Sequence, residues 1–572
     1  MNNLIDVAKG DLPADILLKN ARMVNVFTGE VYGTNVALAA DRIAGVGEDY
    51  REGHEILDLD GLFLLPGFIS GHLHLESTLL HPAEYARLAL PRGTTTVILD
   101  PHEIANVSGL AGIQAFMEAT RDLPLDFFFM VPSCVPATDL ETAGASLSAG
   151  DVAKLLQHER VLGLGEMMNF SGVVRKDPSV LEKIRAARKK GKRVDGHAPL
   201  LSGKTLNAYI ASDIDSDHEC TNPEELQEKL RLGMWGMIRE GTAAKNLRDL
   251  LPAVSPKNSR RCLLVLDDLD PGTLFHQGDM DHVLRRAVSL GLDPATAVQM
   301  VTLNPAERFG LRDRGAIAPG RAADLAVVED LKNFQVHITF KKGVVAAREG
   351  KAYPLLRNEF DPKISRTVKI KPVDASSLRL PLASEKAWVI GVIPDQLLTR
   401  KLSLPVKKNS QGEAVSDPAA DVLKIAVLER HRASGNIGLG LVQGFGFKKG
   451  AVGSTITHDS HNAVIVGTND ADMMKAADEI IKMQGGLVVV DGQEVKAALP
   501  LPLAGLISPE PAETVVSRME ALHKATQEIG SPLPHPFLTL SFLALPVIPE
   551  LKLTDKGLVD VSQFRIIPIE SS

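Results

Sequence analysis

Between residues 66 and 314, short apolar runs alternate with segments patterned as helices, and this alternation restricts what the chain can fold into more than any other feature. The runs are FISGHLHL, TTTVILD, DFFFMV, VLGLGE, KRVDGH, SDIDSDH, MWGMIRE and CLLVLDD. LAGIQAFMEATRD, PSVLEKIRAARKKG and NPEELQEKLRLG lie between runs, and MDHVLRRAVSLG follows the last. Runs this short, separated by segments of helical period, read as βα units feeding a parallel sheet. Eight of them over roughly 250 residues match the size of a TIM-type (β/α)8 barrel. An open, doubly wound sheet would alternate in the same way, so the rhythm alone leaves both architectures standing.

The flanks differ from this block. Residues 1–65 carry short β-type runs punctuated by Gly, Asn and Asp (DILLKNARMVNV, GTNVALAADRIAGVG, HEILDLDGLFLL). The pattern returns over residues 315–373 in GAIAPGRAADLAVVED and HITFKKGVVAAREGKAY. Two β-rich pieces on either side of one block suggest a single β-sandwich built from both ends of the barrel segment. Residues 374–572 read as a further α/β domain: NAVIVGT, the helix-like DADMMKAADEIIKMQG and GLVVVDG form a strand–helix–strand phrase, and AETVVSRMEALHKATQEIG is a second amphipathic helix. KKNSQGEAVSDPA reads as a loop.

Composition removes several classes of function. The formal net charge is −8 and no long Lys/Arg run occurs, so a nucleic-acid partner is not expected. LFLLPGFISG and LTLSFLALPVIP are too short and too broken by Pro or Gly to span a membrane, and MNNLIDVAKGDLPAD lacks the basic-then-apolar order of a secretory signal. Cys134, Cys220 and Cys262 are isolated, as reduced thiols of a cytoplasmic protein would be.

The chemistry lies where the runs end. In a barrel of this type, functional groups sit where strands pass into βα loops. His72 and His74, Asp100, Glu166, His197, His218 and Asp267 fall at those ends. His72 and His74 are two apart and share a face of their strand. A single strand-end histidine is commonly only a hydrogen-bonded core residue. Four histidines and three carboxylates on one rim instead make a donor set for a borderline divalent metal.

Taken in order, LPGFISGHLHLE, GLGEMM, DGHAP, SDHE and LVLDD resemble the amidohydrolase superfamily, and GAIAPGRAADLAVVED is similar to its return into the flanking sheet. DPHEIANVSG, GEMMNFSGV, REGTAAKNL and HDSHNAVIVG look like the bacterial-type adenine deaminases within it. The resemblance covers nearly the whole chain. It implies a binuclear centre in which His72, His74 and Asp267 hold one metal, His197 and His218 the second, and Glu166 bridges them. Relatives that bridge with a carboxylated lysine would carry Lys there. Asp268 adjoins Asp267; alternation along a strand turns only one of them toward the metal, and Asp267 is chosen because it closes the apolar run.

The same resemblance implies hydrolysis of adenine to hypoxanthine and ammonia by hydroxide held on the metal. Asp267 would serve as base and then acid, Glu103 as donor of the ring proton, and His218 as a further member of the catalytic centre. Asp100, His102 and Glu103 would contact substrate, His102 orienting it or touching the metal; the plainer alternative is that Asp100 and His102 cap the next helix. Mn2+ or Fe2+ is favoured and Zn2+ is compatible; a homo-oligomer is expected by analogy. A sugar-phosphate deacetylase, a deaminase of another aminated purine and a non-catalytic purine-binding barrel are the rivals. The zinc cytidine-type design is excluded, since His74-Leu75-Glu76 satisfies H-x-E but no P-C-x-x-C occurs. HDSHN (458–462) and ERHRASG (429–435) are polar clusters that could close the site, bind another metal or decorate turns.

Overall fold

The computed structural model describes residues 2–242, 244–394 and 396–571. Ala243 of the REGTAAKNL motif and Met1 of the amino-terminal segment lie outside the described residues. Strands Phe68–His74, Thr94–Leu99, Asp126–Val131, Val161–Met167 and Arg193–Gly196 pair in parallel, each with the next. Ser216–Asp217, Trp235–Arg239 and Cys262–Val265 form a second parallel set. Two seams join the sets. Asp215 N donates to Val194 O at 3.4 Å, and the short strand Asp267–Asp268, continuing the eighth strand, pairs in parallel with Leu73 and His74 of the first. That last pairing closes a barrel and removes the open sheet as an alternative.

The barrel is a packed core, not a pore. Ile69, Ile98, Met130, Met237, Leu263 and Val265 fill the lumen near the strand starts, and Ala306, Phe309 and Leu311 pack against them from below. Each such side chain contributes about 1.5–3 kcal/mol by leaving water. With one end filled by hydrocarbon, the polar strand ends are left to line the other.

Strands from both sides of the barrel segment hydrogen-bond into one nine-stranded sheet. Its joint is the antiparallel pairing of Phe63–Pro66 with Leu325–Val328. The sheet folds over Leu18, Met23, Leu38, Leu64, Leu325 and Phe340. One element there departs from the β-only expectation: the chain starts with a helix, Asn2–Lys9, whose Leu4 and Val7 pack beside Leu17, Ala37 and Ala44. Apolar residues three apart suit that packing.

The carboxy-terminal part holds an eight-stranded sheet and a small three-stranded one. The strand–helix–strand phrase is present, as Ala463–Gly467, helix Asp470–Met483 and Gly486–Asp491, but its two strands are not neighbours. Ala451–Ser454 lies between them, antiparallel to both. Met473, Ala476, Ala477 and Ile480 of the helix cover this sheet. The stretch expected as a loop, residues 407–419, contains no regular strand or helix. Among the described residues, no helix is long and apolar enough to cross a membrane.

A buried ionic cluster ties the flanking sheet to the barrel. Lys341 Nζ donates to Asp126 and to Asp324, each at 2.7 Å, while Arg314 pairs with Asp126 and donates to Thr96 Oγ1 at 3.1 Å. Burial works against the charge on Asp126, but Lys341 and Arg314 hold its carboxyl well below the usual range. Asp126→Ala would strip Lys341 and Arg314 of a shared counter-charge, and breaking a buried pair costs about 3–5 kcal/mol. A drop of several degrees in Tm with unaltered kcat is expected, because the cluster lies away from the barrel mouth; an unchanged melting curve would show that Asp324 and Asp313, which pairs with Arg314, suffice to balance the two cations.

Candidate metal centre

The first barrel strand has to be irregular for its histidines to reach the mouth. Ile69 packs in the lumen, so simple alternation would send residues 72 and 74 outward. A bulge reverses this: Ser70 pairs with Val97 and Leu73 with Leu99, three residues advancing against two. A Cβ on Gly71 would still face lumen side chains Val265 and Leu263, and from His72 onward the parity is changed. His72 and His74 then face inward, and Leu73 joins the outer core.

Glu166, on the fourth strand, stands between two sets of imidazoles. Its Oε1 lies 3.0 Å from His74 Nε2 and 3.6 Å from His72 Nε2. Its Oε2 lies 2.8 Å from His197 Nδ1 and 3.3 Å from His218 Nε2. Asp267 completes the first set, with Oδ1 3.0 Å from His74 Nε2 and 3.3 Å from His72 Nε2. Burial alone would raise the Glu166 carboxyl, but His218, His197 and His74 hold it well below the usual range. Burial likewise opposes ionisation of Asp267, which His72, His74 and Arg239 keep low.

These groups are under-satisfied as they stand. His72 Nε2, Glu166 Oε1 and both ring nitrogens of His218 are buried without hydrogen-bond partners. Unpaired buried polar atoms are rare and costly. Here they converge: single donor atoms of His72, His74 and Asp267, and of His72, Glu166 and His218, lie within 4.8 Å of one another. Imidazole and carboxylate donors with no thiolate suit a divalent cation, so the residues present fit a metal centre. His74 Nδ1 donates to Asp100 O at 2.9 Å, which leaves Nε2 as the free lone pair.

Asp100 does not cap the helix that follows it. Helix His102–Ala119 begins after Pro101, with no side-chain cap. Asp100 Oδ2 instead accepts the Glu166 backbone N–H at 2.9 Å. The close approach requires glycine beside it, since a Cβ on Gly165 would lie 2.1 Å from Asp100 Oδ2. Asp267 also occupies a special backbone position, with φ +63°; its side chain meets the imidazoles, and Asp268 accepts from Ser77 Oγ.

A second polar layer covers the first. His102 Nδ1 is 3.6 Å from Glu166 Oε1, and Glu103 Oε1 lies 3.3 Å from Ser77 Oγ. HDSHN reaches this layer from the carboxy-terminal sheet: His458 Nδ1 is 3.5 Å from Glu103 Oε1, and Asp459 Oδ1 is 3.9 Å from His102 Nε2. Burial, together with Glu76 and Asp268, pushes the Glu103 carboxyl well up; burial and Glu166 push Asp459 to about 7. ERHRASG stands behind this segment. Glu429 accepts backbone N–H groups of Arg432 and Ser434, while His431 Nε2 donates to Ser460 O at 2.7 Å.

Sequence reasoning gave no role to Glu219 or Arg239. Arg239 donates to Asp267 Oδ2 at 3.1 Å and to Glu219 Oε2 at 3.2 Å, and Glu219 Oε1 is 3.3 Å from His218 Nε2. An arginine closing the seventh apolar run, level with the other strand ends, was the available signal.

Residues 63–346 match the amidohydrolase family, and residues 396–565 match the adenine deaminase C-terminal domain. A protein named adenine deaminase from Dehalococcoides mccartyi is 49% identical over 571 residues, spanning 100% of this chain and 99% of its own. One of the same name from Desulfatibacillum aliphaticivorans is 48% identical over 570 residues, with 99% of each chain covered. A third, from Nitratidesulfovibrio vulgaris, is 48% identical over 573 residues, covering 100% and 99%.

Gly165→Ala should displace Asp100 and so loosen both Glu166 and His74. Loss of such an outer partner typically lowers metal affinity about 10- to 100-fold. Metal titration of the apo-protein would show it; an alanine variant with undiminished affinity would mean that Asp100 does not orient the ligands.

Proposed function

Since the chain belongs to the adenine deaminase family of amidohydrolases, we propose that it hydrolyses adenine to hypoxanthine and ammonia at the barrel mouth. The observation that carries this reading is Glu166, one oxygen turned to His72 and His74 and the other to His197 and His218. A carboxylate so placed can bridge two cations without a modified lysine. His72, His74 and Asp267 would hold one, and His197 and His218 the other. Mn2+ or Fe2+ is our preferred pair, and Zn2+ is compatible with the same donors. When bound, such a centre lowers the pKa of water from about 15.7 to about 7 and so supplies a nucleophile at neutral pH.

The protein's own groups account for the proton transfers. Water adds to C6 of adenine, the ring accepts a proton, and the amino group leaves as ammonia. Asp267, held by Arg239, takes the proton of the attacking water and passes it to the departing nitrogen. Glu103 supplies the ring proton and recovers one from the C6 hydroxyl as the carbonyl of hypoxanthine forms; burial, with Glu76 and Asp268, raises its pKa, which favours the protonated form a donor needs. His102, between Glu166 and Asp459, orients the base. His218 completes the catalytic centre as a ligand. Asp100 acts through Glu166 and His74 as a positioning residue. Cys134, Cys220 and Cys262 are buried free thiols, which suits a cytoplasmic enzyme.

Protein reconstituted with Mn2+ should release ammonia from adenine in proportion to bound metal, and a chelated sample should not. Full metal occupancy with no ammonia would discard adenine and redirect attention to other aminated purines and to acetate release from acetylated amino sugars. Glu103→Gln should lower kcat by about 100-fold or more, within the range for a lost general acid, while leaving metal content intact. Equal loss of turnover and metal would make Glu103 a ligand instead.

A further inference from the structure

Asp459, from the carboxy-terminal sheet region, carries its carboxylate into the second polar layer while keeping an oxygen unengaged. It is 2% exposed, and its Oδ2 has no hydrogen-bond partner. A buried acceptor beside the candidate site that no protein group satisfies is one that a ligand donor can fill. Its backbone is fixed from both sides. His431 holds Ser460 O, Arg430 holds His461 O, and Asn462 Nδ2 donates to Thr142 O of a barrel loop at 2.9 Å. Phe542 stacks on the His458 ring with centroids 4.5 Å apart.

The position of Asp459 says which part of the substrate it meets. His102 presents Nδ1 to Glu166 and Nε2 to Asp459, so Asp459 stands one imidazole width farther from the metal ligands. If C6 of the base lies over those ligands, as the proposed function requires, the end that reaches Asp459 is the five-membered ring. A free purine base carries one N–H on that ring. A nucleoside carries a sugar at N9 instead. We propose that Asp459 accepts this ring N–H and thereby selects the free base over N9-substituted purines. The carboxy-terminal domain is then the part of the protein that reads the distal edge of the substrate, and the barrel performs the chemistry. The inference rests on the adenine reading and adds a recognition residue to it. A site built around a hydrogen bond rejects an analogue that cannot make it far more strongly than an apolar pocket rejects an extra methyl group.

The test compares kcat/KM for adenine and 9-methyladenine in Mn2+-loaded wild type, Asp459→Ala and Asp459→Asn, with metal content measured for each. Wild type should prefer adenine strongly. Asp459→Ala should keep its metal, lose roughly 10- to 100-fold in kcat/KM for adenine, mostly through KM, and narrow the preference by a similar factor. Asp459→Asn, which preserves shape and still offers an oxygen, should lie between. A variant that retains metal and the full wild-type preference overturns the proposal. So does loss of metal from both variants, which would make Asp459 a cation ligand. Wild type that releases no ammonia from adenine would instead remove the adenine reading itself, and this inference with it.

Discussion

Glu166 is a buried carboxylate among imidazoles, and the rest of the barrel mouth is arranged around it. Taking a carboxylate out of water costs several kcal/mol even after relaxation. Glu166 is 4% exposed, yet one of its oxygens has no hydrogen-bond partner. Such a charge persists only where opposite charge is supplied. His197 and His218 supply part of it on one side, and His74 on the other. The unpaired nitrogens of His72 and His218 show that this supply is incomplete within the protein. A pair of cations would satisfy the nitrogens and the oxygen together, and would relieve the proximity of Glu166 and Asp267.

Holding that arrangement takes local departures from regular structure. The bulge at Gly71–His72 turns two consecutive lumen-side positions inward, so that the strand changes from hydrocarbon below to imidazole above. Asp267 sits at positive φ after the eighth strand breaks at Leu266, which allows it to pair with the first strand while reaching His72 and His74. A non-glycine residue in such a region costs of order 1–3 kcal/mol, and strain of that kind is retained where surrounding contacts over-determine it. Arg239 does so here, bonding Asp267 and Glu219 together. Asp100 performs the equivalent service for the fourth strand, through a contact that only glycine at 165 permits.

Much of this was legible in the chain because barrels confine chemistry to strand ends. A polar residue closing an apolar run marks a rim position whatever the loops do, and most of the eight runs have one, so His72, His74, Asp100, Glu166, His197, His218 and Asp267 could be gathered from order alone. Closure of the sheet could not. It depends on the pairing of Asp267–Asp268 with Leu73–His74, a contact between segments nearly 200 residues apart that no local pattern encodes. The role of Asp100 was hidden for a similar reason: an acidic residue two before a helix has the spacing of a cap, and only the proximity of the Glu166 N–H shows where its carboxylate goes. Arg239 and Glu219 were visible as residues but not as a pair, since their link crosses between strands. The interposed strand Ala451–Ser454 escaped because a strand–helix–strand phrase reads the same whether or not another strand separates its ends.

The carboxy-terminal domain was the least legible part, and its geometry explains why it accompanies the barrel. A TIM barrel can hold a metal centre unaided, but its mouth is open, and His197, with 21% of its side chain exposed, shows that access persists on one side. The opposite side is covered by His458 and Asp459. Coverage by a flexible loop would exclude water only intermittently. Here a buried arginine, Arg430, binds the HDSHN backbone and Ala504 O, and Asp555 accepts the Thr142 N–H at 2.9 Å, so sheet and barrel loop are fixed to one another. One contiguous apolar core, from Leu73 and Leu164 in the barrel to Val464 and Leu487 in the sheet, extends the same constraint. Rigid cover of this kind preserves the low-dielectric surroundings in which the carboxylates keep their shifted affinities for protons, and it places acceptors at a set distance from Glu166 and the imidazoles around it. A small planar substrate can be read at both ends only if that distance is constant, which a packed interface provides and a tethered loop does not.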